Sequence, residues 1–234
     1  MRIFSLVSTA VLISFVSHGA AQAQEVHDWS GPYVGAQIGY SDNRYDWSEI
    51  GTGTNIGDDY FADPTQGDLL GGLHVGYNLQ SGALVYGVEA DFDIGTSRYH
   101  YTHLDQQWGF NGKVGPQGSV RLRTGYATGK MLLYGTGGLA VADTSFSNFC
   151  DWCVPTSVSD EMSSTRLGWT LGIGMQYAVS PKLSVRTEYR HSDFGRKSYD
   201  MTSYWGDTPG VSGYIDNLNI QTNSIRLGIT YAFK

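Results

Sequence analysis

The chain has little of what most functions depend on. Cysteine occurs only twice, at Cys150 and Cys153, so there is no disulfide framework of the kind that holds small secreted domains together. Proline occurs six times in 234 residues, and no Pro/Ser linker or charge run divides the chain, which points to one domain. Positive charge is scarce: 15 Lys and Arg against 22 Asp and Glu give −7, which argues against a nucleic-acid partner. Beyond the N-terminus no stretch approaches the roughly 18 consecutive apolar residues of a membrane helix. No Gly-x-Ser-x-Gly motif is present, and the triplet His191-Ser192-Asp193 cannot form a triad within itself, because neighbours on a strand point to opposite faces. No catalytic residues, no metal site and no cofactor are expected.

The N-terminus carries the one apolar run. Met1-Arg2 is a short positive region, residues 3–16 are mostly apolar, and Ala21-Gln22-Ala23 is a small-x-small cleavage site. The run is short for a bilayer span. A signal peptide over 1–23 and a mature domain over 24–234 are expected, with the protein exported. Cleavage would remove Arg2 and no acid, leaving the mature chain one charge more negative than −7.

What the chain has in abundance is glycine, with 31 residues, and aromatics, at 13%, and much of this is arranged with a period of two. In the last segment Ile225, Leu227, Ile229, Tyr231 and Phe233 share one face, opposite Ser224, Arg226, Gly228, Thr230 and Ala232. The same alternation marks strands at 32–40, 68–80, 83–94, 118–127, 166–179 and 183–194, and a segment apolar on both faces at 131–142 completes eight. The connections around Ser81-Gly82, Thr128-Gly129-Lys130 and Ser180-Pro181-Lys182 are tight hairpins. Those over 41–67, 95–117, 143–165 and 195–222 are long. Short turns alternating with long loops, on an even number of strands with one greasy face, predict an all-β, eight-stranded antiparallel transmembrane up-and-down barrel with four long extracellular loops. A soluble barrel would instead turn its apolar residues inward.

Three motifs carry a family resemblance. They are Asp28-Trp29-Ser30-Gly31-Pro32-Tyr33-Val34-Gly35, Leu133-Tyr134-Gly135-Thr136-Gly137-Gly138-Leu139-Ala140, and the stretch from Gly168-Trp169-Thr170-Leu171-Gly172 through Glu188-Tyr189 to Asp193-Phe194-Gly195. Together they resemble the small outer-membrane β-barrel proteins of alphaproteobacteria, often labelled porin-family or OmpA/Opa-like, over nearly all of 28–234. The resemblance implies residence in the cell outer membrane, with surface roles that vary among members. One departure is visible: such proteins usually end on the aromatic, whereas Lys234 follows Phe233 here.

The face opposite the apolar one is charged. Glu89, Asp91, Asp93 and Glu188 face Arg121, Arg123, Arg186, Arg190 and Arg226, with His74 also inward. An eight-stranded barrel is just wide enough for side chains to fill, so a carboxylate–guanidinium network plugging the lumen is expected. An ion-selective channel lined by the same groups is the alternative. In the third long loop Cys150 and Cys153 are a disulfide candidate, since the compartment is oxidising. In the second, Tyr99, His100, Tyr101 and His103 are candidate ligands for haemin or a cation, because Tyr and His ligate haem iron and the resemblance includes relatives described as binding haemin. The expected partners are outer-membrane lipid, lipopolysaccharide and the barrel-insertion machinery, with any external ligand or host surface unknown. The function expected is an integral outer-membrane protein with a structural or surface role in the envelope. A narrow porin or small-ligand uptake protein, or a loop-mediated adhesin, are the alternatives.

Overall fold

The computed structural model describes residues 26–52, 60–62, 65–95, 97–102, 108–150, 161–200 and 213–234. The strands are β1 (Gly31–Thr52), β2 (Tyr60–Ala62), β3 (Thr65–Ser81), β4 (Leu84–Ile94), β5 (Ser97–Thr102), β6 (Trp108–Thr128), β7 (Met131–Cys150), β8 (Glu161–Ala178), β9 (Leu183–Asp200) and β10 (Gly213–Ala232). Eight of them form an antiparallel meander in the order β10-β9-β8-β7-β6-β4-β3-β1, and β10 pairs again with β1, closing the barrel. Closure leaves no sheet edge in the membrane, which a spanning β structure requires. β2 and β5 are short additions on β1 and β6.

At one end the hairpins are tight. Gly82 and Gly129 adopt φ of 61° and 55°, the left-handed conformation that two-residue turns need. The third short turn contains Pro181 and is held by Ser180 Oγ, which accepts from the Leu183 amide at 3.0 Å. The segment before β1 crosses this mouth. The His27 amide donates to Gly129 O at 2.8 Å on the far side of the barrel, and the Trp29 amide to Gln80 Oε1 at 2.6 Å, while the Trp29 side chain is buried.

At the other end the strands run much further than the sequence suggests. The long connections expected at 41–67, 95–117, 143–165 and 195–222 are in large part paired strand: β1 and β10 pair up to Thr52↔Gly213, and β6 and β7 up to Trp108↔Cys150. A 22-residue strand at about 3.3 Å per residue is about 70 Å long. Tilted by about 40°, it stands well above an apolar band about 25 Å tall.

The reason the alternation was not legible there is an exchange of faces. Along β1 the odd positions from Tyr33 to Trp47 point inward, yet Gln37, Ser41 and Asn43 give way to Tyr45 and Trp47, while outward Ile38 and Tyr40 give way to Asp42 and Arg44. Along β10, inward Thr230, Arg226 and Ser224 give way to Ile220 and Leu218, and outward Ile225 to Asn223 and Gln221. The lower part has lipid outside and polar groups inside. The upper part has water outside and an apolar core inside, as a soluble protein does.

The wall also divides above the band. β8 pairs with β9 only as far as Trp169↔Asp193, and β3 with β4 only as far as Gly71↔Ile94. Beyond those points β5–β8 form one sheet, and β9, β10, β1, β2 and the Thr65–Leu70 part of β3 form another. Tyr45, Trp47, Phe194, Leu218 and Ile220 from the second pack with Val114, Ala140, Ala142 and Phe146 from the first, making a small sandwich.

Candidate functional site

The lumen is filled in three layers. Nearest the short turns, Trp29, Val85, Ala127, Leu132, Tyr134 and Ala178 form an apolar plug. Farthest from them is the sandwich core just described. Between the two lies a layer of charge.

Glu89 on β4 sits at its centre. It accepts from Arg121 Nη2 at 2.5 Å, Arg186 Nη1 at 2.6 Å and Tyr33 Oη at 2.9 Å. Glu188 on β9 accepts from Arg121 Nη1 at 2.7 Å, Arg190 Nε at 2.9 Å and Tyr134 Oη at 3.1 Å. Asp91 takes Arg190 Nη1 at 2.9 Å and Ser119 Oγ at 2.6 Å. Asp93 takes Arg226 Nη2 at 3.0 Å and Gln37 Nε2 at 2.6 Å. Arg123 donates to Gln176 Oε1 at 2.5 Å and lies 3.9 Å over the Tyr134 ring, a cation–π contact. Four carboxylates and five guanidiniums thus form one continuous buried array contributed by β4, β6, β9 and β10.

Arginine suits this place because its planar fork reaches two acceptors at once; Arg121 bridges Glu89 and Glu188 in this way. Glycines opposite the large rings make room. A Cβ on Gly174 would lie 2.4 Å from the Tyr134 ring, and one on Gly76 would lie 2.3 Å from Tyr33 Oη. His74, also inward, contacts Thr230 Oγ1 through Nε2 at 2.9 Å.

Sequence reasoning missed Arg166. It is buried, and its Nη1 donates to Gly195 O at 3.1 Å and Leu218 O at 2.8 Å, stapling β8 to the opposite sheet where the wall divides. The signal was present as an arginine in the inward register of Thr170, Gly172 and Gln176. The aromatic layer above was missed as well, since Tyr45, Trp47, Phe146, Leu218 and Ile220 lay in segments read as loop.

The candidate ligands in the second connection do not converge. Tyr99 stacks on buried Tyr45, with centroids 5.8 Å apart, whereas His100 is exposed on the other face of β5 with Nδ1 2.6 Å from Asn111 Oδ1. Tyr101 pairs with Phe110, and His103 lies outside the described residues. Cys150 ends β7 opposite Trp108; Cys153, and with it the disulfide, lies outside the described residues. His191, Ser192 and Asp193 turn to separate partners, Asn223, Thr170 and Gln221. Among the described residues no cluster of three His, Cys, Asp or Glu could hold a metal ion.

The family model described as outer membrane protein beta-barrel domain matches residues 8–233. The chain is similar to the 22 kDa outer membrane protein of Rhizobium leguminosarum bv. viciae, at 32% identity over 213 residues, covering 91% of this chain and 82% of that protein. It is similar to the 25 kDa outer-membrane immunogenic protein of Brucella abortus biovar 1 (strain 9-941), at 30% identity over 207 residues, covering 88% and 80%. Among solved structures, the outer membrane protein OprG from Pseudomonas aeruginosa aligns with a TM-score of 0.51 at 13% identity, over 87% of this chain and 97% of that one, a likeness of fold.

Proposed function

We propose a function that starts from one fact: this chain belongs to the outer membrane protein β-barrel domain family, and its place is the outer membrane. Within that family it acts as a sealed, non-enzymatic barrel with a structural and surface role, holding an extracellular sandwich above the lipid. The observation that carries this reading is the filled lumen. Among the described residues, apolar plug, charged array and aromatic core succeed one another along the lumen. Each buried charge in the array lies within ion-pair distance of an opposite one, and removing an ion from such a setting costs several kcal/mol.

The relatives' names fit surface display: the Brucella proteins are named as immunogenic outer-membrane proteins. Export by a cleaved leader over 1–23 and assembly by barrel-insertion machinery belong to the same reading. The test is planar-bilayer conductance of the protein after heat-modifiable gel mobility has established folding. A folded, silent barrel is expected. Reproducible ion-selective steps would overturn the sealed reading and make Glu89, Arg121 and Arg186 a pore lining.

A further inference from the structure

A β-bulge in β6 builds a second feature, on the outer wall rather than in the lumen. Between Val114↔Thr144 and Gln117↔Ala142 the strand carries one extra residue, and Pro116 is exposed there. Bulges bend a strand and re-aim its side chains. Here the bend opens a cleft of about 440 Å³ over β6, β7 and β8, lined by Lys113, Pro116, Asp143, Ser145, Ser163 and Thr165.

The lining is hydroxyl and charge, and three cross-strand pairs organise it: Lys113↔Ser145, Ser145↔Ser163 and Asp143↔Thr165. Thr165 Oγ1 donates to Asp143 Oδ1 at 2.9 Å, which orients the carboxylate. The Lys113 ammonium, the hydroxyls of Ser145 and Ser163 and the second carboxylate oxygen of Asp143 have no partner among the described residues. These are the groups that recognise a polyol bearing an anion: hydroxyls and a carboxylate for sugar hydroxyls, an ammonium for a phosphate.

The height of the cleft selects the ligand. On β7 the outward series runs Leu139, Val141, Asp143, Ser145, and on β8 Trp169, Leu167, Thr165, Ser163. The cleft therefore starts one outward position above the last lipid-facing residues, with the exposed Trp169 ring just below. In the outer membrane that level holds the phosphorylated sugars at the base of lipopolysaccharide. A lysine is out of keeping with an acidic chain, and it is in keeping with a phosphate.

We propose that this cleft binds the phosphorylated sugar headgroup of lipopolysaccharide, with Lys113 on a phosphate and Asp143, Ser145 and Ser163 on sugar hydroxyls. This rests on the outer-membrane orientation adopted above, with the long-strand end outside. The volume suits one or two sugar units, at the low end of the roughly 300–1,000 Å³ typical of ligand sites. The site would dock the barrel in a fixed register against the glycolipid layer.

The experiment is calorimetric titration of the purified, folded barrel in detergent with deacylated lipopolysaccharide glycan, with the same glycan dephosphorylated, and with inorganic phosphate alone. The glycan is expected to bind, and Lys113→Gln to weaken it by about tenfold, as loss of one charge-assisted contact does. Removing the phosphates should cost the wild type a similar factor and the Lys113→Gln protein little. Ser145→Leu, which fills the cleft with a side chain tolerable at a lipid interface, should abolish binding. Lys182→Gln at the opposite end should change nothing. Equal weakening by Lys182→Gln would mean diffuse attraction and overturn the site; so would unchanged binding by Ser145→Leu, or no glycan binding by a wild type with normal heat-modifiable mobility. Phosphate competing as well as the glycan would reduce the site to one for a free anion. Failure of the outer-membrane orientation would appear separately, as protease clipping of the tight turns rather than the long-strand end on intact cells.

Discussion

At the scale of the residue, the decisive contrast is between the two faces of the same strand. Glu89 is buried with three donors on it. Glu89→Ala leaves Arg121 and Arg186 short of a counter-charge and should destabilise the barrel by about 3–5 kcal/mol, measured by urea unfolding in lipid vesicles; a loss below about 1 kcal/mol would mean the array is solvated. Outward Ile173 is 68% exposed to lipid, and Ile173→Arg should cost about 2–4 kcal/mol near the midplane. A titrating residue sits on the strap across the short-turn mouth. The His27 ring lies edge-on to Trp29 at 4.7 Å, and partial burial, then Lys234, push its pKa below the usual 6.5, with Asp28 pulling the other way. The folded strap thus favours the neutral ring. Its stability is full above pH 6.5 and is lost as pH falls from there toward the lower folded value. Backbone hydrogen exchange over 27–30, corrected for intrinsic rate, should rise between about pH 7.5 and pH 5.5 and lose that dependence in His27→Phe. Slower exchange at the acid end would reverse the sign.

At the scale of the element, the alternation of the lipid-facing spans was readable because one solvent lies on each side of the strand. Leu84, Tyr86, Val88 and Phe92 face lipid while Val85, Glu89 and Asp91 face inward, and period two follows directly. Where β1 and β10 leave the membrane, the solvents change places and the pattern inverts; an aromatic pair such as Tyr45 and Trp47 among Asp, Arg and Ser then reads as loop. The glutamates and arginines were assignable to one face from spacing alone, but which arginine meets which acid depends on strands up to 133 positions apart, as for Arg226 and Asp93. Arg166 needed the division of the wall to acquire its role. The upper core should be separable from the barrel: Trp47→Ala removes a large buried ring and should cost about 3–5 kcal/mol of local stability. Limited proteolysis of intact cells should then cut the long-strand end faster, while heat-modifiable mobility persists. Loss of the mobility shift would show that the sandwich is needed for closure.

At the scale of the whole molecule, the three layers act in series, so opening one should not open the barrel. Trp29→Ala unstops the short-turn mouth, and Trp47→Ala loosens the other end, yet the array around Glu89 and Arg121 still spans the lumen. The double variant should remain silent in planar bilayers. Conductance in it, with none in the wild type, would place the seal in the apolar layers rather than in the charged one.

By itself the sequence determined the membrane barrel, its eight spans, its three tight turns and the charge of its lumen, because each of these is a local consequence of which side of a strand meets hydrocarbon. Only the tertiary structure decided how far the strands continue, where the wall divides into two sheets and which charges pair. It also decided that Tyr99 turns inward to Tyr45 while His100 turns away. Those outcomes depend on residues far apart in the chain sharing one small volume, and spacing along a single strand carries no record of that.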